Sequence, residues 1–262
     1  MALIAMAIWD TKQNERTKLT KECVNSLMET VDYSKHRIYL VDNGSCDYTK
    51  SYLDTVRASS RNLINVITLP ENIGTAKAIN KAWQHRNSGE NAVKMDNDVV
   101  IHSNDWVERL EDCIAREPRI GIVGLKRRDC IETPWNPQKW YRSELLMLPH
   151  ETGQTWLIVE KVHHVMGTCQ MYSSALLDKI GYLYQMGELY GFDDALASVR
   201  ADKAGFYTVH FPHIVIDHID KGGDAYYSWK QKVSGQAMAR FNSTAQAYSL
   251  GYKEIYCGPE GE

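Results

Sequence analysis

The chain has 262 residues, 44% hydrophobic and 24% charged, and its 30 basic against 33 acidic side chains leave a net charge of −3. That length supports one large α/β core or a core with an appendage, and the charge balance argues against a dedicated binder of nucleic acid or anionic membrane. No run approaches the ~20 apolar residues of a membrane span, and Cys23, Cys46, Cys113, Cys130, Cys169 and Cys257 show no CxxC spacing, which reads as free thiols in a reducing, cytoplasmic setting.

The N-terminal run Met1–Trp9 lacks a basic leader and a cleavage pattern, so it reads as a buried strand over Leu3–Trp9. Arg16–Val31 places Leu19, Cys23, Val24, Leu27, Met28 and Val31 at helical spacing. Arg37–Val41 is a short strand that closes on the turn residues Asp42-Asn43-Gly44-Ser45. Asp47–Arg57 reads as helix, Leu63–Leu69 as strand, Thr75–His85 as helix, Val93–Met95 as strand, Asp105–Ala115 as helix and Ile120–Leu125 as strand. This alternation predicts right-handed βαβ units and a largely parallel sheet. From Lys126 to Glu160 the pattern breaks into a segment rich in proline and aromatics, with Trp135, Trp140, Tyr141 and Trp156; a connection of that length is commonly functional. Order returns as His163–Tyr172 (strand), Ser174–Ile180 (helix), Asp193–Ala204 (helix), Tyr207–His218 (strand) and an amphipathic helix over Ala225–Tyr248.

The run Lys94-Met95-Asp96-Asn97-Asp98 carries the most chemical information. In an extended chain residues i and i+2 face one side, so Asp96 and Asp98 can converge on a hard cation such as Mg²⁺ or Mn²⁺, which takes carboxylate and phosphate oxygens. The end of a strand in an open α/β sheet is also where such folds bind nucleotides. The alternative is that the pair starts a turn and caps the next helix.

Four blocks in order resemble the family 2 glycosyltransferases, which have the GT-A fold. Val41-Asp42-Asn43-Gly44-Ser45-Cys46-Asp47 is similar to the family's strand-end motif, and Glu71-Asn72-Ile73-Gly74 with Ala78-Ile79-Asn80 to its N-x-G block. Asp96-Asn97-Asp98 resembles the D-x-D metal motif, and Gly191-Phe192-Asp193-Asp194 with Arg200 and Gly205 resembles the later acidic block. The resemblance spans roughly residues 1–218. It implies an α/β GT-A (Rossmann-like) fold, a mostly parallel central sheet flanked by helices. Residues 1–125 would form the nucleotide-sugar half, 126–218 the acceptor-side half, and 219–262 a C-terminal helical extension.

The resemblance also implies roles. Thr11 and Asp42 would contact the nucleoside, Asn72 and Gly74 would shape the loop beneath it, and Lys77 would reach base or phosphate. Asp96 would lean to ribose or metal, Asp98 would bind the metal, and His218, rivalled by Asp217, would complete the Mn²⁺ or Mg²⁺ shell. Asp194 would be the general base, with Asp193 capping its helix. Ile79 stands where the family often carries arginine, so that basic contact is absent. Each assignment has a plainer alternative: an Asx-turn for Asp42, a solvated charge for Lys77, first-turn dipole complementation for Asp194 and a structural role for His218. His163, His164, His210 and His213 lack a carboxylate at convincing spacing and read as structural.

The expected activity is inverting, metal-dependent transfer of a sugar from a nucleotide diphosphate sugar, UDP foremost, by direct displacement. A sugar-1-phosphate nucleotidyltransferase is the runner-up, although Trp9–Arg16 lacks the glycines of a triphosphate loop. A non-catalytic nucleotide-sugar-binding protein is the third reading. The acceptor is open among glycan, protein, small molecule and a hydroxylated base in DNA, the last resting on the basic run Lys126-Arg127-Arg128. The aromatic segment is the candidate acceptor surface, since flat rings stack on sugars and bases.

Overall fold

Ala2–Ile8 is apolar at every position and forms β1, buried almost throughout, as a strand covered by helices on both faces must be. The structure, a computed structural model, describes residues 1–61, 63–130, 143–150, 155–222 and 225–261. From β1 the chain runs through α1 (Thr17–Thr30), β2 (Arg37–Asn43), α2 (Asp47–Ser59), β3 (Ile64–Leu69), α3 (Thr75–Trp83) and β4 (Asn91–Met95). Then come β5 (Val99–Val100), α4 (Trp106–Arg116), β6 (Ile120–Arg127), β7 (Glu144–Pro149), β8 (Trp156–Val162) and β9 (Cys169–Tyr172). The last elements are α5 (Ser174–Ile180), α6 (Asp193–Lys203), β10 (Tyr207–His218) and α7 (Ala225–Leu250).

The strand order is β3-β2-β1-β4-β9-β6-β10-β8-β7, with β5 paired to β10 off this path. β1 pairs in parallel with β2 and β4, β2 with β3, and β6 with β10. Alternation along β1 divides the core into two layers. Ile4, Met6 and Ile8 pack with Val24 and Leu27 of α1 and Trp106 and Leu110 of α4. Leu3 and Ala5 face Ile79 and Trp83 of α3, Leu176 of α5 and Ala197 of α6. Burying side chains of this size on both faces supplies most of the drive for the fold.

Three features depart from the sequence-based expectation. The strand expected over His163–Tyr172 begins at Cys169, and β9 lies antiparallel between β4 and β6; the residues before it form a loop in the cleft. The segment after Lys126 is not wholly irregular. Glu144–Pro149 and Trp156–Val162 form an antiparallel hairpin at the sheet edge, because Leu148 and Val159 point inward while Leu145, Met147 and Ile158 point out. Helix α7 is largely exposed, and its amphipathic pattern reduces to a seam, Ala237, Phe241, Ala245 and Tyr248, packed with Met186 and Leu196. No helix among the described residues is long and apolar enough to cross a membrane.

Candidate active site

The C-terminal ends of β1, β2, β4 and β10 open into one cleft of about 710 Å³, the place where an open α/β sheet leaves backbone ends unpaired. Asn72, Asp96, Asp98, Asp194 and His218 all line it, whereas Thr11, Asp42, Gly74 and Lys77 do not. Those four support its wall. Thr11 and Asn14 exchange hydrogen bonds of 2.7 and 3.0 Å that shape the loop after β1. Asp42 is wholly buried and its Oδ1 accepts the Ser45 N–H at 2.7 Å, closing an Asx-turn, while its Oδ2 has no partner. Gly74 takes φ +94°, a conformation favouring glycine, and a Cβ there would strike Gln185. Gln185 Oε1 accepts the N–H groups of Ala76 and Lys77 at 3.0 and 3.3 Å, capping α3 from a distant loop. Asn43 and Asn72 clamp the two loops together through a 2.9 Å hydrogen bond.

Asp96 and Asp98 reach the cleft through a turn, not through the pleat of an extended strand: β4 ends at Met95 and the chain reverses at Asn97-Asp98 before β5. Asn97 Nδ2 donates to Asp10 Oδ1 (3.2 Å) and Thr20 Oγ1 (2.8 Å), pinning the turn. Asp10 Oδ2 in turn accepts from Thr20 (2.8 Å) and Thr49 (3.3 Å), so one buried carboxylate joins β1, α1, α2 and this turn. Burial pushes the Asp10 carboxyl up despite these donors. Asp96 is the more open of the pair, and its carboxyl is pushed up to about 6, by burial first and with Lys94 opposing. Asp98 is buried. Its Oδ2 accepts from Arg16 Nη2 at 2.5 Å, and its Oδ1 has no hydrogen bond and lies 3.6 Å from His218 Nε2. Burial lowers the His218 pKa against the pull of Asp98, leaving a neutral imidazole at neutral pH. Asp217 turns to the other side of β10 and binds His102 and Arg128 at 2.9 and 2.6 Å, so His218 is the one in the cleft.

Asp193 and Asp194 open α6 behind Phe192, which sits in the left-handed region at φ +63°. Asp194 is held by the N–H groups of Gly167 (2.7 Å) and Ala195 (2.8 Å), and His164 Nε2 lies 3.7 Å away. The structure places His164 beside the candidate base, a carboxylate neighbour that the sequence spacing does not show. Asp193 faces Lys94 Nζ at 3.0 Å instead of only capping the helix.

A second group of lining residues lies outside the sequence-based expectation. Tyr226 and Trp229 at the start of α7 pack on Trp9 after β1, with Trp229 5.1 Å from Trp9 between ring centroids. Lys230 Nζ lies over Tyr190 and Tyr226 at 5.0 and 5.1 Å. The spacing of Tyr226, Trp229 and Lys230 on one helix face was readable as a signal, but not what that face covers. Of the aromatic segment, Trp135, Trp140 and Tyr141 lie outside the described residues, and Trp156 is 57% exposed on the sheet-edge hairpin, away from the cleft. The basic run is neutralised, Lys126 by Glu160, Arg127 by Asp129 and Arg128 by Asp217.

Among the described residues no three acidic, histidine or cysteine side chains are grouped closely enough to hold a metal ion by themselves. The family model described as Glycosyl transferase family 2 matches residues 13–181, well over half of the chain. An N-acetylglucosaminyltransferase of Rhizobium leguminosarum bv. viciae is 32% identical over 207 residues, which are 77% of this chain and 48% of that protein. The chain therefore spans about half the length of the curated relatives it matches. Among solved structures, the mannosyltransferase PcManGT from Pyrobaculum calidifontis, in complex with GDP-Man and Mn²⁺, superposes with a TM-score of 0.64 at 18% identity, covering 95% of this chain and 69% of that one. GalNAc-T7 with UDP, GalNAc and Mn²⁺ gives a TM-score of 0.64 at 14% identity, covering 83% of this chain and 43% of that one. These likenesses establish the GT-A fold. With the blocks at 41–47, 71–80 and 96–98 inside the matched residues, the chain belongs to glycosyl transferase family 2.

Proposed function

We propose that this chain transfers a sugar from a nucleotide diphosphate sugar, with a UDP-sugar as donor, to an acceptor hydroxyl by direct displacement with inversion. The observation that carries the reading is Asp98 Oδ1, buried without a hydrogen bond and facing the neutral His218 imidazole at 3.6 Å, in the cleft that also holds Asp194. An oxygen and a nitrogen lone pair at that separation fit two neighbouring positions on one Mn²⁺ or Mg²⁺, and Asp96 stands at the same wall; the donor's diphosphate would supply further oxygens. A divalent cation bound there would offset the charge on the departing diphosphate. Asn43 and Asn72 hold the loops that border the nucleoside, and the orphaned Asp42 Oδ2 lies one residue from Asn43, within the same turn. Asp194, fixed by two backbone donors, accepts the proton of the acceptor hydroxyl. One base suffices for a single displacement, which inverts the anomeric centre.

The relative's name points to N-acetylglucosamine as the sugar, so with UDP as the proposed carrier UDP-N-acetylglucosamine is the first donor to try. Incubation with a panel of UDP- and GDP-sugars, with Mn²⁺ or with EDTA, reads release of the free nucleotide diphosphate. We expect Mn²⁺-dependent release from at least one UDP-sugar, lost in D98A. No release and no binding of any donor would end this reading.

A further inference from the structure

Arg16 is out of place by local rules. It occupies the N-cap position of α1 and makes no side-chain cap hydrogen bond, where Ser, Thr, Asp or Asn is favoured and a cation opposes the helix dipole. It is also 2% exposed, one of the largest fully buried side chains. Its fork is taken by two carboxylates: Nη2 donates to Asp98 Oδ2 at 2.5 Å and Nη1 to Asp220 Oδ2 at 2.7 Å. The Tyr226 ring covers the guanidinium at 4.3 Å, and Nε is buried without a hydrogen bond. A residue that breaks two local preferences and is dehydrated as well is held there by the acids it bridges.

We propose that Arg16 is a positioning residue and internal counter-ion for Asp98. It leaves Asp98 one free oxygen and cancels part of its charge, so that the cleft without nucleotide holds a divalent cation weakly. Through Asp220 the same guanidinium ties the segment after His218, which leads into Tyr226 and Trp229, to the floor of the cleft. Without Arg16, Asp98 and Asp220 lose the cation they share, and the added negative charge at the cleft attracts a divalent cation more strongly. This inference rests on the reading that Asp98 and His218 receive a cation.

The test is a Mn²⁺ titration of the whole chain, followed by loss of the free-ion electron paramagnetic resonance signal, with and without UDP. R16Q is expected to bind Mn²⁺ in the absence of UDP about tenfold more tightly than the wild type. R16K, which keeps the charge but not the two-pronged bridge, should stay close to the wild type; a merely structural role would move both variants together. Should R16Q not fold, the charge-balanced R16Q/D220N compared with D220N reads the same effect. R16Q binding no tighter than the wild type, or R16K moving with it, overturns the inference while Mn²⁺ uptake with UDP leaves the cation reading standing. No Mn²⁺ uptake by any of these proteins, with or without UDP, removes the cation reading and this inference together.

Discussion

Replacing Lys94 by methionine tests how the floor of the cleft is held. The Lys94 side chain is 4% exposed, and its Nζ lies 3.0 Å from Asp193 Oδ2 and 3.8 Å from Asp96 Oδ1. At that shorter separation the attraction is ~5–6 kcal/mol with an effective dielectric of about 20, and desolvation of both charges offsets a large part of it. Removing one partner of a buried pair typically costs 3–5 kcal/mol, because the other charge stays buried. Asp193 Oδ2 has no hydrogen bond of proper geometry, and methionine retains most of the lysine stem, so K94M should lose about 3 kcal/mol. For a chain of this size that is a fall in Tm of roughly 6–12 °C. Urea unfolding of the wild type, K94M, D193N and the double variant would read it, and the double variant should recover much of the loss. A K94M change below about 1 kcal/mol would refute the reasoning, since no buried pair of consequence would then exist. A second readout follows: Lys94 pulls the Asp96 carboxyl down from where burial would put it, so K94M should shift upward the pH at which Mn²⁺–UDP binding is lost.

In the wild type that binding should weaken as pH falls through about 6, where Asp96 takes up a proton and loses the charge that favours a cation; flat affinity between pH 5 and 7 by calorimetry would count against Asp96 as a participant. D194N should lower kcat by ~10²–10⁴ with UDP affinity nearly intact, and an unchanged kcat would move the base elsewhere. G181A should lower Tm markedly, because Gly181 takes φ +73° and a Cβ there would collide with the Cys257 carbonyl; a neutral substitution would mean the bridge between Gly181 and Cys257 is dispensable.

What the sequence makes legible follows from how local each signal is. β1, β2 and β3 and the helices between them are readable because each strand is apolar throughout or ends on turn residues, and each helix repeats at helical spacing. Asp96 and Asp98 stand out by their spacing and Asp194 by its resemblance to a family block, and the fold brings all three to one cleft. β9 between β4 and β6 is not readable, because its register with residues 92–95 is a tertiary match across 74 to 80 positions that no local pattern encodes. The same holds for Arg16 with Asp220, 204 residues apart, and for His164 beside Asp194. Trp9 reads as the end of an apolar strand, and only the packing of α7 turns it into part of a cover.

The central letter of Asp96-Asn97-Asp98 is easily taken for filler between two acids. In this fold its amide is the rivet that joins the acidic turn to Asp10 and Thr20. Engineers who vary residue 97 while leaving both neighbours untouched would therefore be adjusting the spacing of the acids themselves, and a library at this position is a library of cleft shapes.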